Sequence, residues 1–276
     1  MFAVADGGDQ RTKEQLKAAV LQALPKLNEM LLEERGQGTG PLGDDPQEQW
    51  DLFRALVNTR PAEPASEEFL ALQDEMLQDL LAYRSVTEVR EIELATGANG
   101  MRLWRGDITT LATDAIVNAA NSQMLGCFVP GHYCIDNAIH TFAGVQLRLE
   151  CARLMAEQGY PEPTGMAKAT DAFNLPARHV IHTVGPIAEG IVTQADRALL
   201  ANCYTSCLDA ATDLGCGSIA FCCISTGVFG FPQREAAETA VATVRDWLSR
   251  SGCGMTVVFD VFGDVDEALY RRLLSM

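Results

Sequence analysis

The sequence predicts an α/β unit, a three-layer α/β/α arrangement on a mixed sheet, preceded by a helical extension. Three observations carry this. From Thr87 onward, short apolar runs alternate with amphipathic stretches of helical spacing, the pattern of strands alternating with helices. Several of those runs are apolar throughout, as expected of strands covered on both faces. Before that point the periodicity is helical only, and the segment contains no histidine and no cysteine. Residues 1–85 are therefore read as an N-terminal helical extension and 86–276 as the α/β unit.

Taken in order, residues 1–9 show no pattern and are expected to be loose. Arg11 to Glu34 places Leu16, Val20, Leu24, Leu27 and Leu31 at helical spacing, with Pro25 as an expected kink or break. The Gly- and Pro-rich stretch from Gly36 to Pro46 is a loop. Gln47 to Asn58 reads as a second helix carrying Trp50, Phe53, Leu56 and Val57 on one face, and Ser66 is a cap for a third, Glu67 to Tyr83. Expected strands follow at Glu88 to Leu94, Arg102 to Arg105, Ala115 to Asn118, His179 to Val184, Ser218 to Ile224 and Thr256 to Asp260. Expected helices are Asp136 to Gln158, Thr193 to Leu214, Pro232 to Ser249 and Val265 to Ser275.

Composition narrows the function. The 276 residues are 47% hydrophobic and 21% charged, as in a globular chain. Nine cysteines at irregular spacing do not resemble a disulfide framework. The first 16 residues are broken by charges and do not read as a signal peptide, and no run approaches the ~20 apolar residues of a membrane span. The expectation is an intracellular, cytoplasmic protein with reduced thiols and no membrane partner. A net charge of −16 argues against general nucleic-acid binding, which draws on clustered Lys and Arg. It leaves open one small anionic ligand held by backbone N–H groups.

The chemistry gathers in three stretches expected at strand ends, where α/β sheets bind ligands. The densest is Asn118 to Gly144, which holds Cys127, His132 and Cys134 in a C-x4-H-x-C spacing around a Pro130-Gly131 turn. Thiolate and imidazole are ligands that zinc favours, and three of them suit a site with an open position. A metal-free loop, or a fourth ligand from Cys151, Cys222 or Cys223, is equally compatible with the spacing. In the same stretch Asn118 and Asn121 suit sugar hydroxyls or turn geometry. Asp136 opens a helix, where its charge complements the dipole, and His140 one turn on is expected to be packed and hydrogen-bonded. The second stretch, Gly106 to Thr109, offers Asp107 either as an acceptor for an exocyclic amine or as a capping carboxylate. The third is Ile224 to Pro232, whose Ser225, Thr226, Gly227 and Gly230 allow close backbone approach, so that successive N–H groups cradle an anion. It matches neither GxxxxGK[ST] nor GxGxxG.

Together GDIT (106–109), VNAAN (117–121), DNAIHTFAG (136–144), VIHTVGP (180–186) and STGVFGFP (225–232) resemble a macrodomain, and GCFVPGHYC (126–134) resembles its zinc-containing branch. The resemblance spans roughly residues 85–276, and the leading RALVNTRPAEPASEEF stretch is similar to that branch's N-terminal extension. It implies a zinc-dependent hydrolase that removes mono-ADP-ribose from modified protein side chains. Asp107 would then hold the adenine amine with backbone help from Ile108. Asn121 would hold the distal ribose, and Ser225, Thr226, Gly227, Val228, Phe229, Gly230 and Phe231 the diphosphate, with Phe231 near that ribose. Cys127, His132 and Cys134 would bind Zn2+, and Asp136 matches the acidic position that is catalytic in hydrolytic macrodomains, where it would orient or deprotonate water. Two rivals are a non-catalytic ADP-ribose reader with a structural zinc and an O-acetyl-ADP-ribose deacetylase. The sequence departs from the glycine-rich first loop of many macrodomains, so part of the diphosphate cradle is altered.

Overall fold

The computed structural model describes residues 11–38, 43–95, 100–188 and 190–276. The expectation for residues 1–9 and part of the Gly36 to Pro46 loop lie outside the described residues. The chain opens with three helices, α1 (Lys13–Glu34), α2 (Pro46–Asn58) and α3 (Glu67–Arg84). Each begins at a side-chain cap: Thr12 accepts from the Gln15 N–H, Asp45 from Gln47 and Glu48, and Ser66 from Phe69. Pro25 does not break α1, which runs through it. An internal proline costs about 3 kcal/mol, and burial of Leu24, Leu27 and Leu31 on the same helix offsets it at about 1.5–3 kcal/mol each. The three helices share a hydrophobic cluster around Leu27, Phe53, Phe69 and Met76.

The remaining chain forms β1 (Thr87–Glu88), β2 (Met101–Arg105), β3 (Leu111–Ala112), β4 (Ala115–Ala120), α4 (Ile135–Ala143), α5 (Val145–Gln158), β5 (Ala167–Asp171) and β6 (His179–Val184). It continues with α6 (Gln194–Asp213), β7 (Ser218–Phe221), α7 (Gln233–Ser251), β8 (Thr256–Val261) and α8 (Asp264–Leu274). The main sheet has six strands in the order β2-β8-β7-β4-β6-β5, parallel throughout except for the antiparallel edge β5. Helices α6, α7 and α8 pack side by side, while α4 and α5 belong to the crossover from β4 towards β6, which runs in the opposite direction. Right-handed crossovers put these two groups on opposite faces. The result is the mixed-sheet, three-layer arrangement, with the leading helices stacked outside α4.

Three expectations need correction. Glu88 to Leu94 is not a strand: it pairs only at Thr87–Glu88 and at Leu94, with a 3-10 turn at Val89–Glu91 between. Its alternating charges leave Ile92 as the one buried apolar anchor, with its carbonyl bonded to the Arg102 guanidinium. Asp136 to Gln158 is two helices, because Gly144 has φ +98° and a Cβ there would lie 2.5 Å from Gln146 Oε1 and 2.7 Å from Gln73 Nε2. The break lets the Val145 N–H reach Gln73 Oε1 of α3 at 3.0 Å. The edge strand β5 was not expected, since its lysine, threonine and aspartate mask the apolar pattern.

Among the described residues, no helix is long and apolar enough to cross a membrane. Leu27 is fully buried in the helical cluster, so Leu27→Ala should lower stability by about 2–5 kcal/mol in denaturant unfolding. Glu29→Ala, on the exposed side of the same helix, should stay within about 0.5 kcal/mol. Equal effects would contradict the packing described.

Candidate active site

The chain leaves β4 towards β6 and leaves β7 towards β8, although β4 and β7 are neighbours. That divergence opens a crevice at the carboxyl ends of the parallel strands. From β2 to β4 the rim spans three strand spacings, about 14 Å. Along it lie, in order, the turn after β2, the loop after β7 and the loop after β4.

At the β2 end, Asp107 Oδ1 accepts from the Thr109 N–H at 2.9 Å and from Thr109 Oγ1 at 2.6 Å, capping a short 3-10 turn. The capping reading is therefore true of Asp107. It also forms an ion pair with Arg84, the last residue of α3, whose guanidinium lies 4.3 Å from the Phe142 ring centroid. Both oxygens are engaged, Oδ1 by Thr109 and Oδ2 by Arg84, yet the Asp107 side chain stays 47% exposed. Ile108 is a core side chain, and its N–H has no protein acceptor among the described residues. Because Arg105 is in register with Val261, Phe262 follows beside this turn, 90% exposed. Sequence reasoning missed Phe262 and Arg84. An aromatic directly after the last strand was the available signal for the first, and nothing local signalled the second.

The loop after β7 turns on left-handed residues, Ser225 at φ +65° and Gly230 at φ +68°. The Phe231 N–H donates to the Ser225 carbonyl at 3.0 Å and Gly230 to Gly227 at 3.0 Å. Between them the N–H groups of Gly227, Val228 and Phe229 have no protein acceptor among the described residues, as in a nest for an anion. Ser225 is buried with its hydroxyl unpaired, and Gly185 after β6 faces it so closely that a Cβ would lie 2.0 Å from Ser225 Oγ. Phe231 does not border the cleft: it is 1% exposed and belongs to the core, while Val228 at 80% is the exposed apolar residue of this loop.

The loop after β4 contains the Cys-His-Cys set. Ligand atoms of Cys127, His132 and Cys134 lie within 4.8 Å of one another. Cys127 Sγ is 3.5 Å from His132 Nδ1; zinc–ligand lengths in a tetrahedron would give about 3.6 Å. The donor set fits zinc. Among the described residues no further His, Cys, Asp or Glu joins the group, and Cys151, one of the possible fourth ligands, clusters instead with His140 and His182. Cys134 caps α4, its Sγ accepting from the Asn137 N–H at 3.4 Å. Burial pushes its thiol up to about 12, so a bound cation is what would hold it as thiolate.

The asparagines and Asp136 sit differently from expectation. Asn121 Oδ1 accepts from the Gln123 N–H at 2.9 Å and its Nδ2 donates to the Gly126 carbonyl at 3.1 Å, so the side chain shapes the loop. Asn118 is fully buried and unavailable to a sugar. Its Nδ2 donates to Asp136 Oδ1 at 2.8 Å and faces His182 Nδ1 at 3.1 Å. Asp136 is 5% exposed and lies beneath the loop, not on the cleft surface. Burial raises its pKa to about 6, against the pull of the Asn118 hydrogen bond and the Arg148 charge. His140 is packed but not hydrogen-bonded: both ring nitrogens lack a partner, and Nε2 is 3.6 Å from Asp136 Oδ1. Burial holds His140 well below its usual range and His182 down to about 3, so both imidazoles are neutral. Gly126, at φ +81°, lets the loop rest on His140, since a Cβ there would lie 3.0 Å from the His140 ring.

A separate cleft of about 320 Å³ between Lys17, Trp50, Tyr83 and Phe142 is apolar and offers little to a sugar or phosphate.

The Macro domain family profile matches residues 117–240. A protein-ADP-ribose hydrolase of Treponema medium is 56% identical over 252 residues, covering 90% of this chain and 97% of the relative. A protein-ADP-ribose hydrolase of Staphylococcus aureus (strain Mu50 / ATCC 700699) is 48% identical over 250 residues, covering 90% and 93%. The Oceanobacillus iheyensis macrodomain solved with ADP aligns at TM-score 0.60 and 36% identity, covering 67% of this chain and 94% of that one. With the Macro domain profile on residues 117–240 and a relative 56% identical over 90% of the chain, the chain belongs to the macrodomain family.

Proposed function

We propose that this chain is a zinc-dependent protein-ADP-ribose hydrolase that releases mono-ADP-ribose from protein side chains. Its enzymatic class is carried by relatives of that name at 48–56% identity over 90% of the chain. The single structural observation behind the finer reading is the order of groups along the rim. A carboxylate and an exposed aromatic come first, then three free N–H groups, then the Cys-His-Cys loop. That order matches adenine, diphosphate and distal ribose. In this reading residues 86–276 carry the site and 1–85 form the extension.

Asp107 accepts from the adenine amine through its half-exposed carboxylate, the Ile108 N–H adds a donor, and Phe262 offers its face to the base. The N–H groups of Gly227, Val228 and Phe229 bind the diphosphate, while Ser225, Thr226, Gly230 and Phe231 shape that loop. Asn121 retains one unused N–H and one lone pair for the distal ribose. Cys127, His132 and Cys134 hold zinc, which when bound supplies Lewis acidity beside that ribose. Hydrolysis breaks the bond between the ribose anomeric carbon and the side-chain oxygen; water supplies the hydroxyl to the sugar and a proton to the released side chain. A general base must reach to about 3 Å of the proton it takes. Asp136 is two residues beyond Cys134, 5% exposed and bonded to Asn118, and in this reading it orients or deprotonates the attacking water once substrate is bound.

Two outcomes test this. Cys127→Ala or Cys134→Ala should cut release of free ADP-ribose by at least about 100-fold, equivalent to about 2.7 kcal/mol, and leave ADP-ribose binding nearly unchanged. Chelation should reproduce the loss and zinc restore it; turnover that survives ligand removal contradicts a catalytic zinc. Asp107→Ala should weaken ADP-ribose binding by about 1.5–3 kcal/mol in calorimetry, and an unchanged affinity would remove Asp107 from the base site. Tight binding with no release from Asp-, Glu- or Ser-linked substrates would favour a reader, and release of acetate from O-acetyl-ADP-ribose alone would favour the deacetylase.

A further inference from the structure

The segment His132–Tyr133–Cys134 supplies two of the three candidate ligands, and it is gripped from outside its own loop. Arg54, on α2 of the leading helices, is 6% exposed. Its Nη2 donates to the His132 carbonyl at 3.1 Å and to Asn137 Oδ1 at 3.3 Å. Its guanidinium carbon lies 4.3 Å from the Tyr133 ring centroid. One side chain thus holds the peptide between the two ligands, the residue between them and the first turn of α4, whose Asn137 N–H is bonded to Cys134 Sγ.

The internal supports of this loop are few. The His132 N–H donates to the Val129 carbonyl at 3.1 Å, closing one turn around Pro130 and Gly131. Tyr133 is 83% exposed and has no core to hold it. Arg54, in contrast, has no carboxylate within ion-pair distance among the described residues. Burying an arginine without an opposite charge is costly, and the partners it does have are the carbonyl and ring of the ligand segment and the Asn137 amide at the start of α4. An outer partner that orients ligands commonly contributes 10- to 100-fold, about one to two decades, to metal affinity.

We propose that Arg54 is a positioning residue of the metal site, fixing the spacing of His132 and Cys134, so that the helical extension completes a centre whose ligands all lie outside it. The inference rests on the zinc reading above. Its consequence is that metal retention depends on a residue 73 positions before the first ligand, Cys127.

The test is Zn2+ titration of the full chain against a chromophoric chelator, with ADP-ribose affinity and thermal unfolding measured on the same samples. Arg54→Ala should bind Zn2+ about 10- to 100-fold more weakly while ADP-ribose affinity stays close to that of the unchanged chain. Arg54→Lys, which keeps a donor but loses the planar fork, should recover part of the loss. If Arg54→Ala does not fold, Arg54→Gln keeps an amide donor without the charge or the fork and carries the comparison. A folded variant that binds Zn2+ as tightly as the unchanged chain overturns the role of Arg54 and leaves the zinc reading intact. An unchanged chain that takes up no Zn2+ overturns the zinc reading and this inference together.

Discussion

The structure depends on the parallel pairing of β4 with both β6 and β7. Residues 115–120 match β6 through six positions, from Ala115 opposite His179 to Ala120 opposite Val184. On the other side, Ala115 and Ile116 alone are paired with β7. Beyond that short ladder the connections leave the two strands in opposite directions, and the loops that follow carry the Cys-His-Cys set and the free N–H groups. Buried backbone groups must find partners, so a place where neighbouring strands diverge leaves donors for a ligand to satisfy. The crevice is a consequence of topology before any catalytic residue is considered.

Beneath it a buried polar layer ties the two sides together. The Asn118 amide on β4 reaches Asp136 on α4 and His182 on β6, and Thr170 on β5 meets the other nitrogen of His182 at 3.1 Å. With Asn118 donating to His182 Nδ1, the ring carries its proton on Nε2 and directs it at Thr170 Oγ1. This arrangement, with Arg148 nearby, uses His182 as a neutral structural imidazole and makes the His140–Cys151–His182 cluster a poor cation site. The extension reinforces the same region through Arg148, which donates from α5 to the carbonyls of Val57 and Arg60 and stacks over Phe128 of the Cys-His-Cys loop at 4.3 Å. Site and extension are coupled by directional contacts as well as by apolar packing.

Much of this was legible because the relevant signals are local. Apolar runs located β2, β4, β6, β7 and β8, the cap Ser66 marks α3, and the C-x4-H-x-C spacing does bring three ligand atoms together. Where the reading failed, the deciding contact was distant in sequence. Gly144 looks like any helical glycine until Gln73 is placed against it, 71 residues earlier. Asn118 and Asp136 are polar residues of a kind normally found at surfaces, and only the sheet shows that they satisfy each other inside. The resemblance puts Phe231 near the distal ribose, whereas its side chain is buried in the core. Arg54 carries no motif, and its partners are 78 and 83 residues away.

The central claim is that one cleft places a three-ligand zinc beside the distal ribose of a bound ADP-ribose. The most direct measurement is crystallographic: diffraction from the full chain with Zn2+ and ADP-ribose, with anomalous data collected at the zinc edge. The account predicts a single zinc peak among Cys127, His132 and Cys134 with no fourth protein ligand. It predicts adenine at Asp107 and Phe262, and diphosphate on the Gly227–Phe229 N–H groups. A zinc closed by a fourth protein ligand, or ADP-ribose bound away from the β4–β7 crevice, would contradict it.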